Sequence, residues 1–70
     1  MEIVFTNHAK YRIVKRKVLK EEVIDAIKYP DKTIKKHGKY YFQKRLERGT
    51  IEVCCEKTES IINVITVYWM

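Results

Sequence analysis

The feature that most constrains this chain is a change of period at Pro30. Before it, Leu19, Val23, Ala26 and Ile27 recur at i, i+4, i+7 and i+8, and Ile24 widens the stripe. Glu21 and Glu22 fall in the first turn, where the helix dipole favours negative charge, and Glu21, Asp25 and Lys28 take the opposite face. This predicts a helix from Leu19–Lys20 to Tyr29-Pro30-Asp31, because the residue before a proline is pushed out of the helical region. Upstream, Thr6 reads as an N-cap for a shorter helix from Asn7 to Lys15–Lys17. Ala9 and Ile13 centre its packing stripe, with Val14 to one side. Glu2 to Phe5 fits either a short leading strand or an extended arm.

After Pro30 the pattern is alternation. Strands are predicted over Lys32–Lys36, Lys39–Arg45, Thr50–Lys57 and Ile61–Trp69, separated by turns at His37-Gly38, Glu47-Arg48-Gly49 and Thr58-Glu59-Ser60. Short turns in succession imply an antiparallel meander of about four strands. The expected fold is a two-layer α+β domain, with two N-terminal helices on one face of a roughly four-stranded antiparallel sheet. Ile51, Val53, Ile61, Ile65, Val67 and Trp69 are the set expected to face the helices. With Phe42 pointing inward, the uncovered face carries Tyr41, Gln43, Arg45, Thr66 and Tyr68. A slip of one residue would exchange the two sets.

Seventy residues allow one domain, 1–70, with a small core. With 46% hydrophobic and 34% charged residues the chain reads as folded. It contains neither an 18-residue apolar run nor the apolar core of a signal peptide, so a soluble, cytoplasmic protein is expected. Cys54 and Cys55 are adjacent; on a strand they point to opposite faces and serve as neither a staple nor a metal pair. Fifteen Lys and Arg against nine Asp and Glu leave a formal charge of +6, which favours nucleic acid or an acidic protein as partner.

On the first helix, His8, Arg12, Lys15 and Arg16 fall within an arc of roughly 100° beside the apolar stripe. An imidazole among fixed cations suits phosphate chemistry, and the same grouping suits an ordinary solvated basic face. An open sheet face bearing Tyr41, Tyr68, Thr66 and Arg45 can stack bases and grip phosphates. The plainer readings are tyrosines in half-buried packing, a strand-forming Thr66 and a His37 that only makes a turn. No HExxH, CxxC, P-loop or GxSxG motif is present, so zinc, nucleotide and acyl-transfer chemistry lack sequence support.

The line His8-Ala9-x-x-Arg12-x-x-x-Arg16, the helix ending at Tyr29-Pro30-Asp31, Gly38 before a Tyr-rich strand and the closing Val64-Ile65-Thr66-Val67-Tyr68 occur in order over nearly the whole chain. This pattern resembles the domain-of-unknown-function family numbered 4258, which looks related to RelE-like toxins and, more distantly, to ribonucleases of the barnase and EndoU type. The resemblance implies helices on one face of a four-stranded antiparallel sheet. It marks His8, Arg12 and Arg16, a basic position at Lys44 or Arg45, and Thr66. The chain departs from the pattern at Tyr11, where an acidic residue is common, and at Lys17, where glycine is common.

The function so implied is RNA-directed: a metal-independent endoribonuclease of a toxin–antitoxin kind, without cofactor, acting on RNA (ribosome-bound mRNA included) and held by an acidic antitoxin protein. RNA cleavage without a metal needs the 2′-OH deprotonated, the leaving oxygen protonated and the phosphorane neutralised. The expected catalytic set is His8 as base or acid, Arg12 and Arg45 on the phosphate oxygens, and Thr66 on ribose or phosphate. Lys15, Arg16, Tyr41, Lys44 and Tyr68 are the expected RNA-binding residues. Two other classes stay open: a non-catalytic nucleic-acid-binding module, and an interaction domain that docks an acidic partner.

Overall fold

The computed structural model describes residues 2–70. Strand β1 (Glu2–Phe5) is followed by helices α1 (Asn7–Lys15) and α2 (Lys20–Lys28), then by strands β2 (Lys32–Lys36), β3 (Lys39–Leu46), β4 (Gly49–Lys57) and β5 (Ile61–Trp69). The α+β class holds. The sheet, however, has five strands in the order β1-β5-β4-β3-β2 and is mixed rather than antiparallel. Glu2 to Phe5 is the fifth strand, parallel to β5 in the register Glu2↔Ile61 to Phe5↔Val64. The other three pairings form the expected meander.

Local chemistry accounts for the boundaries. The Thr6 hydroxyl accepts the Ala9 N–H at 3.1 Å and so caps α1. At the other end, Lys17 N–H donates to Val14 C=O at 3.2 Å and Val18 N–H to Ile13 C=O at 3.0 Å. These are the paired bonds of a Schellman stop, which places Lys17 in the left-handed region at φ 55°. On α2, the Leu19 N–H donates to the Glu22 carboxylate at 2.9 Å. Leu19 itself is 57% exposed and lies outside the apolar stripe that its spacing suggested. His37 and Gly38 both have positive φ and join β2 to β3 as a two-residue hairpin between paired Lys36 and Lys39.

Ala9, Val18, Val23, Ala26 and Ile27 form a single buried core with Phe42, Ile51, Val53, Cys55, Ile62, Val64 and Val67. Between Cys54 and Cys55 the register on β5 jumps from Thr66 to Val64, leaving Ile65 as an extra, bulged residue. The bulge reverses the alternation. Val67 and Trp69 face the core as expected, but upstream of the bulge the inward pair is Ile62 and Val64, not Ile61 and Ile65.

Arg48 ties the turn between β3 and β4 back to the helices. Its guanidinium donates twice to Glu22, at 2.6 and 2.7 Å, and once to the Lys17 carbonyl at 3.0 Å, and it lies over the Trp69 ring. The Arg48 hydrogen bonds hold the Glu22 carboxyl below its ordinary value.

A non-glycine residue in the left-handed region costs about 1–2 kcal/mol, part of which glycine returns through the entropy of the unfolded chain. Lys17→Gly is therefore expected to stabilise the domain by about 1 kcal/mol, a rise in Tm of roughly 4–8 °C for a domain of this size. Thermal unfolding checks it, and a lower Tm would show that the Lys17 side chain is needed.

Candidate functional site

Two groups of chemically active side chains emerge from this architecture, one on α1 and one on the side of the sheet turned away from the core. On α1, the Arg12 Nε–H donates to His8 Nε2 at 3.3 Å, one helical turn apart. His8 is exposed, and its Nε2 is the acceptor of this hydrogen bond. Tyr11, 58% exposed, has the Arg12 guanidinium 5.8 Å and the Lys15 ammonium 5.6 Å from its ring centre. Arg16 is engaged elsewhere: its Nη1 donates to the Val67 carbonyl at 2.9 Å, while its own carbonyl accepts the Trp69 indole N–H at 2.8 Å. The structure thus links His8 to Arg12, sets Arg12 and Lys15 beside Tyr11, and uses Arg16 to fasten the helix to β5.

Pairing of β3, β4 and β5 sets the second group in rows. Tyr41, Cys54 and Thr66 are directly opposed across the three strands, and so are Gln43, Glu52 and Tyr68. Because Phe42, Val53 and Val67 belong to the core, these rows occupy the other face. Glu52 is its centre. The side chain is 9% exposed, yet Gln43 Nε2–H donates to one carboxylate oxygen at 2.7 Å and the Tyr68 hydroxyl donates to the other. Burial, and then the hydrogen bond to Glu52, push the Tyr68 phenol up to about 12. Tyr41 is also raised, first by the neighbouring Cys54 sulfur. Cys55 faces the core, and burial pushes it up to about 12; Cys54, on the other face, is raised by burial as well. Both thiols are free and protonated at neutral pH.

The remaining expected residues divide. Arg45 is exposed, and its backbone N–H donates to the Asp31 carboxylate at 2.7 Å. It pairs with Thr50, which places it two strands over and four residues along from Thr66, roughly 10 Å across and about 14 Å along the sheet. Lys44 shares the core-side alternation with Phe42, and its ammonium donates to the Tyr29 carbonyl at 2.8 Å. Thr66 adjoins Ile65, whose carbonyl, like that of Val64, accepts from the Thr6 hydroxyl. The start of α1 therefore sits at the bulge beside Thr66.

Beyond the rows lies an open groove of about 410 Å³, lined by Ile34, Lys36, His37, Tyr41 and Glu52. Of these only Tyr41 was an expected site residue; His37, assigned to a turn, stands at the rim with Lys36. Tyr11 and Glu52 were also missed. The signal for Glu52 was a lone acid in the middle of the apolar run Ile51–Cys55. Among the described residues, no three His, Cys, Asp or Glu side chains gather in a way that could hold a metal ion. No helix among them is long and apolar enough to cross a membrane.

The sequence profile of a family described as Domain of unknown function (DUF4258) matches residues 5–69. The chain belongs to the DUF4258 family. No curated protein and no solved structure matches it. The family match covers both groups of side chains, from Thr6 to Trp69, and excludes only Glu2 to Val4 and Met70 among the described residues.

Removing the Tyr68 hydroxyl leaves half of the Glu52 carboxylate unpartnered, so Tyr68→Phe is expected to cost roughly 1–3 kcal/mol at pH 7 in urea unfolding. The alkaline limb gives a second reading. The folded phenol binds its proton more tightly than the unfolded one, so stability should fall as pH rises from about 10 towards about 12. That fall should be shallower in Tyr68→Phe; equal slopes would exclude Tyr68 as its source.

Proposed function

We propose that this domain acts on RNA as a metal-independent endoribonuclease of a toxin–antitoxin kind, on a RelE-like scaffold. In this reading the helices close the core side of the sheet and leave the other face free for the nucleic acid. The observation that carries the proposal is the hydrogen-bonded pair of His8 and Arg12 on the exposed side of α1, beside Tyr11 and Lys15. It supplies a proton acceptor, a phosphate-binding fork and a stacking ring within one turn of helix. The formal charge of +6 supports a polyanionic substrate.

The chemistry follows from the pair. A phosphate arriving at Arg12 competes for the guanidinium and frees the lone pair of His8 Nε2. His8 then takes the proton of the ribose 2′-OH, whose oxygen attacks the adjacent phosphorus, and the P–O5′ bond breaks as the 5′-oxygen takes a proton from water. Arg12 neutralises the developing charge on the non-bridging oxygens. The products are a 2′,3′-cyclic phosphate and a 5′-hydroxyl. In this reading Thr66, which follows the bulge residue whose carbonyl accepts from Thr6, hydrogen-bonds ribose or phosphate. Arg45, farther along the sheet, suits a neighbouring phosphate rather than the one being cleaved.

Purified protein should cleave unstructured RNA in EDTA and low salt and leave cyclic phosphate ends. His8→Ala should lower the rate about 100-fold or more, the usual weight of a general acid–base group. Arg12→Ala should be impaired as well, and Arg45→Ala should act mainly on affinity. RNA left intact, with and without added ribosomes, would overturn the catalytic reading. If RNA were bound in a salt-sensitive manner and His8→Ala bound it equally well, the domain would be a nucleic-acid-binding module.

A further inference from the structure

The groove on the second face is chemically unlike the α1 cluster, and the endoribonuclease chemistry does not use it. Its floor is a carboxylate held from two sides. Gln43 on β3 and Tyr68 on β5 each take one oxygen of Glu52, which fixes the carboxylate plane. An ionised carboxylate offers about four acceptor positions. Among the described residues these two donors are its only partners, so one position on each oxygen remains open. Glu52 lines the groove, and its two open positions are free to accept from two N–H donors.

The walls narrow the choice of ligand. Tyr41 and Ile34, directly opposed on β3 and β2, supply a flat ring and an apolar side. Lys36 and His37 form an exposed rim at the hairpin, with Lys32 and Lys39 in the same alternation as Lys36 and Tyr41 on the same two strands. A cationic ligand matches the carboxylate but is repelled by this rim. A planar group with two adjacent N–H donors and an attached anion satisfies both. Among the RNA bases guanine alone presents such a pair, N1–H and N2–H, on its Watson–Crick edge. The volume of about 410 Å³ lies within the usual range for small-ligand sites, about 300–1,000 Å³.

We propose that the groove between the β2–β3 hairpin and β4 is a guanine-selective subsite for single-stranded RNA, in which Glu52 reads the base, Tyr41 stacks on it and Lys36 and His37 hold the adjoining phosphate. The inference rests on the RNA-directed reading and adds to it a base preference at a position away from His8. Adenine, which presents an acceptor at N1, meets the carboxylate with repulsion. Uracil and cytosine offer at most one donor position on that edge. Discrimination therefore comes from the fixed acceptor pair, whereas Tyr41 contributes to every base alike.

The test is fluorescence anisotropy with labelled pentanucleotides UUGUU, UUAUU, UUCUU and UUUUU, made with 2′-O-methyl sugars so that no attacking hydroxyl is present. UUGUU should bind about tenfold or more tighter than UUAUU, the scale of one good bidentate base contact. Glu52→Gln should reduce that ratio below about threefold, and Tyr41→Ala should weaken all four probes. A probe with inosine at the centre keeps N1–H and lacks the amino group. With unmodified protein it should lie between UUGUU and UUAUU, which tests the subsite without relying on a folded Glu52 variant. Equal binding of all probes would overturn the guanine subsite and leave RNA binding intact. Failure of every probe and of long unstructured RNA to bind would overturn both readings.

Discussion

The outer edge of β5 carries the constraint on which the rest of the molecule depends. A strand edge in the interior of a small domain must not leave its carbonyls without donors. β1 reaches only from Ile61 to Val64 on β5. Beyond that point the task passes to side chains of α1: Thr6 donates to the carbonyls of Val64 and Ile65, and Arg16 donates to that of Val67. The helix is thus hydrogen-bonded along the strand rather than merely packed on it. Its register against β5 is set, and with it the position of His8 and Arg12 relative to the bulge at Ile65. The indole of Trp69 completes the seam from the strand side by donating to the Arg16 carbonyl.

On the second face a carboxylate performs the comparable ordering. Glu52 interrupts a run of buried apolar residues on the central strand, where an unpaired charge would be costly. Its two donors come from the strands on either side, so the same contacts that make its burial tolerable also align β3, β4 and β5. Tyr41, Cys54 and Thr66 form the adjoining row. The two groups differ in sign: cations surround an imidazole on α1, whereas a fixed carboxylate lies under a basic rim on the sheet. In the proposed reading one strand of RNA uses both, because its backbone and its bases make opposite electrostatic demands.

The element boundaries were legible because each rests on a local cause. Pro30 ends α2, Thr6 starts α1, Gly38 turns the hairpin, and the alternation Ile51, Val53, Cys55 marks the inward side of β4. What was not legible is non-local. Nothing in Glu2–Phe5 names its partner, since a parallel pairing is made with residues near the other end of the chain. The bulge at Ile65 was hidden because β5 is apolar in both alternation sets, so a change of phase leaves no trace in composition. The groove depends on β2 lying beside β3 in the correct register, which brings His37 and Lys36 towards Tyr41 and Glu52. In the α1 cluster the helical arc placed His8 near Arg12 correctly. It could not show that Arg16 is turned to the Val67 carbonyl or that Lys44 is spent on that of Tyr29.

The parallel pairing of β1 with β5 has a consequence in time. Glu2 pairs with Ile61, so the first strand cannot complete its pairing before the last has been made. Contacts between residues so far apart in sequence carry a large loop-closure cost and slow the folding of small domains. Until β1 docks, the Ile61–Val64 edge of β5 stays open and able to pair with a strand of another chain. For this domain the order in which the chain is made works against the order in which it can be completed, and the interval between the two is when association with a second molecule is easiest.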